Sequence, residues 1–197
     1  LNINFKEEGH IYYLDGGEIL PSVSQILQDC GIIDTTYFKP GHATRGREIH
    51  KATEFIDNKI LDISCYSESE HIKYIEAYEL FKKETGFEVL EVEKKVYSEI
   101  YKYAGTIDRI GILNEKKIIL DIKSGVKQGW HGIQLTAYNL SQEFIYNIYG
   151  LYLNKHGTYV LEKYNSAKYM DTFLSALNVY RFKHERIQYM DKINNDE

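Results

Sequence analysis

The stretch 101–123, YKYAGTIDRIGILNEKKIILDIK, decides how this chain folds. Residues 101–113 and 116–123 are rich in β-branched and aromatic side chains, and the short polar pair Asn114-Glu115 separates them. That composition predicts two strands joined by a tight connection. Side chains two apart on a strand point the same way, so Asp121 and Lys123 share one face while Ile122 turns to the other. The run Gly105-Thr106-Ile107-Asp108 ends in a carboxylate on the preceding strand. If the strands pair around Asn114-Glu115, Asp108 comes close to Asp121.

Working outward, residues 89–97 have the same β-rich character. Residues 130–142 read as a helix, and 147–153 with 158–164 as a hairpin around Lys155-His156-Gly157. Residues 171–186 form a last amphipathic helix, followed by a polar tail, 194–197, that is expected to fray. Towards the N terminus, 10–14 and 18–20 flank Asp15-Gly16-Gly17, a hairpin signal. Pro21-Ser22 opens a helix with Val23, Ile26 and Leu27 on one face, and Gly31 ends it. Two more helices are predicted: 44–58, with the stripe Ile49, Ala52 and Ile56, and 67–85, with Ile72, Ile75, Tyr78 and Phe81. Gly86 ends the second. The order predicts an α/β domain with a central mixed β-sheet flanked by helices, preceded by an N-terminal hairpin and helices. One domain covers 1–197, divided into a hairpin and helical part (1–87), a sheet core (88–164) and a C-terminal helix (165–188).

Bulk properties narrow the function. Hydrophobic residues are 43% of the chain, enough for a sizeable core. The 18 tyrosines can pack by their rings with hydroxyls at water, so their number alone marks no binding surface. A net charge of −5 argues against nonspecific coating of nucleic acid, so any phosphate contacts must be local. Two widely spaced cysteines, Cys30 and Cys65, exclude a disulfide framework and a four-cysteine metal cluster, and point to buried thiols in a reducing cytoplasm. No apolar run is long enough to span a bilayer, and no signal-peptide pattern precedes the first predicted strand.

The chemistry lies in a joint pattern. Asp-x-Lys alone is commonplace on a solvated strand, and Asp108-Arg109 alone fits a turn or a salt bridge. Together, Asp108 and Asp121 bring two carboxylates close enough to repel unless a cation sits between them. Mg²⁺ or Mn²⁺ suits such hard oxygen ligands. Lys123 can orient or deprotonate an attacking water, and the small Gly105 lets a backbone approach the site. Gln134 and Tyr138 are four apart on the following helix and share a face, from which their polar tips can reach the lysine or a DNA strand. The ordinary reading of Tyr138 is a core residue of an amphipathic helix. His50 is the remaining candidate ligand, with Arg45 and Gly46 just upstream suited to a phosphate, and Glu54 one turn on suited to orienting the imidazole. Glu91 and Glu93 share a face of the first strand of the core, and Glu93 is a further candidate acid beside the metal, or simply an edge-strand charge. The other histidines, including His131, show no ligand spacing.

These residues resemble the PD-(D/E)xK nuclease superfamily, in particular its RecB-like and phage-type exonucleases. The match runs through Arg45-Gly46 to His50, Gly105 to Asp108, Asp121-Ile122-Lys123 and Gln134 to Tyr138. The resemblance implies a restriction-endonuclease-like core. It implies a metal held by His50, Asp108, Asp121 and the Ile122 carbonyl, with Lys123 serving the water. Gln134 and Tyr138 match the family's glutamine–tyrosine motif. Ile107 stands where the motif's proline would be, and the cysteines of the branches that carry an iron–sulfur cluster are missing, so no such cluster is implied. The implied function is metal-dependent DNA exonuclease activity in phage recombination or repair, with DNA as partner and, by family habit, a single-strand annealing protein and an oligomer. A structure- or sequence-specific endonuclease uses the same core. A DNA-binding subunit without turnover is the third reading, against which the intact Asp108, Asp121 and Lys123 argue.

Overall fold

A computed structural model describes residues 2–34, 36, 40–60 and 69–195, with backbone only for Pro40, His42 and 186–195. Cys65 lies outside the described residues, as do the first two residues of the predicted 67–85 helix.

Two sheets form. β1 (Ile3–Lys6), β2 (Ile11–Leu14) and β3 (Ile19–Leu20) make a small antiparallel sheet. β2 and β3 are the predicted hairpin. β1 is an added strand, too short for its alternation to stand out in sequence, and it takes its place through pairing of Ile3 with Leu14 and Phe5 with Tyr12. Behind this sheet, Ser22 caps α1 (Val23–Asp29). Its hydroxyl accepts the Gln25 N–H at 3.1 Å, and the Gln25 side chain accepts the Ser22 N–H at 2.8 Å.

The main sheet has the order β4 (Glu88–Ser98), β5 (Tyr103–Leu113), β6 (Lys116–Lys123), β7 (Asn147–Leu153), β8 (Tyr159–Tyr164). Asn114 and Glu115 have φ +48° and +62°, the conformation a two-residue hairpin turn needs, and β5–β6 pairing follows with Arg109 opposite Leu120. α4 (His131–Leu140) carries the chain across one face, so β6 and β7 run parallel while the other neighbours are antiparallel.

Helices cover both faces. α2 (Pro40–Asp57) and α3 (Ile72–Thr85) lie on one side, where Ile49, Tyr78 and Phe81 pack on Leu120, Ile122 and Leu151. α2 starts a turn before residue 44, because proline's fixed φ suits a first helical position. α1, α4 and α5 (Ser166–Asn195) cover the other face, with Leu27, Leu135 and Phe173 packed on Tyr103, Ile107 and Ile119. α5 is far longer than 171–186. The Asn165 side chain accepts the Ala167 N–H at 3.1 Å and starts it early, and no glycine or proline follows Gly157 to stop it. The polar tail is therefore helical through Asn195 instead of frayed from 194 onward. Cys30 is only partly buried, its thiol donating to the Ala176 carbonyl at 3.2 Å. Among the described residues, no helix is long and apolar enough to cross a membrane.

One irregularity in β5 re-aims two side chains. Tyr103, Ile107 and Ile110 all pack on the α4 side, although the last two are three apart. The two-residue alternation therefore slips at Asp108-Arg109, and both side chains reach α2. Across the ladder, Val92 pairs with Arg109 and Lys94 with Ile107, placing Glu93 opposite Asp108 with φ +48°. Disturbed pairing commonly redirects side chains in this way.

Candidate metal centre

Three elements converge at this irregularity. His50 comes from α2, Glu93 from β4 and Asp108 from β5, and one ligand-capable atom of each lies within 4.8 Å of the other two. His50 Nδ1 stands 3.6 Å from Asp108 Oδ1. The other Asp108 oxygen accepts the Ile122 N–H at 2.6 Å, which fixes the carboxylate across the β5–β6 boundary. Arg109 Nη1 donates to Glu93 Oε1 at 3.2 Å. An imidazole and two carboxylates so placed could hold a metal ion.

Arg109 is itself wholly buried, at 0% exposure. Its Nε donates to Asp57 Oδ2 at 2.5 Å and its Nη2 to Thr53 at 3.1 Å. Asp57 also takes the Tyr78 hydroxyl at 2.7 Å and Lys82 at 2.5 Å. This network ties α2 and α3 to the sheet and braces Glu93 from behind. Arg109 is thus in a salt bridge, but with Asp57, distant in sequence and without a local signal, rather than with the neighbouring Asp108 carboxylate.

A second chain of polar groups runs along the α4 side. Asp121 is 3% exposed, and its Oδ2 lies 2.8 Å from Lys123 Nζ. The two form an enclosed ion pair. Lys123 Nζ donates to Gln134 Oε1 at 2.9 Å, and Gln134 Nε2 donates to the Tyr138 hydroxyl at 3.0 Å. Asp121 thus stands beside the three-ligand group rather than within it.

Several expectations change in detail. Tyr138 is buried in the core and touches Gln134, so it cannot meet a DNA strand directly; it anchors the glutamine that holds the lysine. Gly105 makes room for the Tyr138 ring rather than for a backbone: a Cβ there would lie 2.5 Å from Tyr138 Cε1. Ile122 is tied to the site by its N–H. Glu54 pairs with Lys51 at 2.9 Å instead of orienting His50, and Glu91 pairs with Lys94 at 3.0 Å. Asp108 lies in mid-strand. Arg45 and Gly46 line a cavity of about 300 Å³ between α2 and the segment after β6, with His50 and Lys123 in the same wall. Trp130 and His131 complete that wall and escaped sequence reasoning, since neither has ligand spacing.

The electrostatics follow from crowding. Burial, reinforced by the Asp108 charge, pushes the Glu93 carboxyl up to about 7. Burial likewise pushes Asp121 up to about 6, with Lys123 opposing and Asp108 adding to the rise. Burial, then the Lys123 charge, lowers His131 to about 3, leaving its imidazole neutral. A carboxyl whose folded value exceeds its ordinary 4.5 stabilises the fold fully below that value and loses this contribution as pH rises through about 7. In metal-free buffer, wild type should therefore lose melting temperature relative to Glu93→Gln between pH 5 and 8. With 35% of the Glu93 side chain at solvent, screening keeps the shift modest. Parallel melting curves for the two proteins would refute the assignment.

No protein-family model matches this chain, and no curated protein matches it.

Proposed function

We propose that this chain is a Mg²⁺- or Mn²⁺-dependent deoxyribonuclease, an exonuclease hydrolysing phosphodiester bonds at DNA ends in recombination or repair. The observation that carries the reading is the convergence of His50, Glu93 and Asp108 beside the Asp121–Lys123–Gln134 chain. The resemblance to RecB-like and phage-type exonucleases gives it its substrate.

The donor set fits a hard divalent ion. It offers carboxylate oxygens and one imidazole, with the buried Asp121 carboxylate and its Lys123 counter-ion alongside. His50, Glu93 and Asp108 would hold the ion, to which the resemblance adds Asp121 and the Ile122 carbonyl. Such an ion, when bound, acidifies water and offsets charge on the phosphate. Lys123, fixed by Asp121 and Gln134, either orients the attacking water as an ammonium, or as a neutral amine that has first lost a proton to solvent takes the water's proton; in its charged form it counters the charge building on the phosphate oxygens. Arg45 draws the strand in by a phosphate.

Incubation of 3′- and 5′-labelled linear duplex DNA with the protein and Mn²⁺ should release nucleotides, and excess EDTA should reduce release to background. Covalently closed circular DNA should stay intact. Nicking or linearisation of the circle would replace the exonuclease reading by the endonuclease one. Binding of DNA with no hydrolysis of either substrate would leave a scaffold without turnover.

A further inference from the structure

We infer that the cavity between α2 and the 124–129 segment receives one unpaired nucleobase of the strand being cut, stacked on Trp130. This rests on the nuclease reading and sharpens it, because it makes an unstacked end the substrate. The cavity shares His50 and Lys123 with the candidate centre, so its occupant is an immediate neighbour of the reacting phosphate. Much of the remaining wall is apolar: Ala43, Ile122, Val126 and Trp130. Val126 is 77% exposed there.

Trp130 is held as a platform. Lys123 Nζ sits 5.4 Å from its ring centroid, and the His131 ring meets it edge-on at 4.2 Å. His131 is fixed in turn by the Tyr152 hydroxyl at 2.7 Å and the Gln128 N–H at 3.3 Å. An indole whose neighbours are locked loses little freedom when a base stacks on it. Charge also matches. Among the described residues no carboxylate lies within ion-pairing distance of Arg45; its guanidinium lies 5.8 Å from the Tyr74 ring centroid and lines this wall, where its charge suits the phosphate attached to the base.

Size sets the condition on the substrate. At about 300 Å³ the cavity is at the small end for ligand sites and takes one base, not a base pair. The base must therefore leave the stack, which costs least where the strand is already single or frays at a terminus. Preference for single strands and frayed ends follows from the size of this cavity.

Trp130 is the chain's one tryptophan, so its emission reports on the cavity alone. The test uses the full chain with Ca²⁺ and two fluorescein-labelled single strands of equal length, one of thymidylate and one wholly abasic. Anisotropy measures binding, and unlabelled strands are used for emission. The thymidylate strand should quench Trp130 saturably. The abasic strand should bind about ten- to a hundredfold more weakly and leave the emission unchanged. Trp130→Phe should keep the preference for the strand with bases and Trp130→Ala should abolish it. Equal affinity of wild type for the two strands, or saturation by thymidylate without quenching, would overturn the inference. If linear DNA were still degraded in that case, only the base site would fall. Absence of any DNA binding or hydrolysis would remove both the base site and the nuclease reading.

Discussion

Replacing Lys123 by alanine should lower Mn²⁺-dependent release of nucleotides from linear DNA by about two to four orders of magnitude, the range for removing a positioned proton-transfer group. The Lys123 ammonium lies between the Asp121 carboxylate at 2.8 Å and the Gln134 amide oxygen at 2.9 Å, and Gln134 is itself anchored by Tyr138. Because His50, Glu93 and Asp108 do not depend on it, Mn²⁺ should still bind, as titration calorimetry would show. Lys123→Arg separates charge from proton handling: guanidinium keeps the positive charge but does not give up its proton. If the water must be deprotonated, the arginine variant stays nearly as slow as alanine. If charge suffices, it recovers much of the rate. Equal rates for wild type and Lys123→Ala would end the hydrolytic proposal.

The largest expected effect on stability lies behind the centre. Asp57→Ala should destabilise the fold by about 3–5 kcal/mol, because it strips the main counter-charge from a guanidinium with no access to water. At about 2–4 °C per kcal/mol for a chain of this size, the melting temperature should fall by roughly 6–20 °C. Lys82 and Tyr78 lose the same partner. Combining Asp57→Ala with Arg109→Met should cost much less than the two single changes added together, since the second change removes the stranded charge. A melting temperature for Asp57→Ala within about 2 °C of wild type, less than one kcal/mol, would show that the network is dispensable.

The local part of this architecture was legible in the sequence, and the long-range part was not. β6 (Lys116–Lys123) and β7 (Asn147–Leu153) fall on the predicted residues, because a polar two-residue turn and a glycine-containing loop punctuate β-branched runs. From that, Asp121 and Lys123 on one face and Asp108 nearby followed by period two alone. The same rule failed where strands are irregular. It put Glu91 and Glu93 on one face, yet the register shift near Leu90 and the positive φ at Glu93 send Glu91 to Lys94 and Glu93 to the centre. It could not show that Asp108 and Arg109 both reach α2. Nor could spacing reveal what stands opposite a side chain. Gly105 reads as a gap, and only the folded molecule shows that the Tyr138 ring fills it. Asp57 and Arg109 meet across 52 residues, a pairing no window of sequence contains.

The backbone at Glu93 carries an implication for how this chain can be improved or spoiled. A non-glycine residue at φ +48° within a strand stores about 1–3 kcal/mol of conformational strain. Glycine would relieve it, but at the cost of the Glu93–Arg109 ion pair. The carboxylate opposite Asp108 would vanish with the strain, so robustness and chemistry compete for a single position in β4.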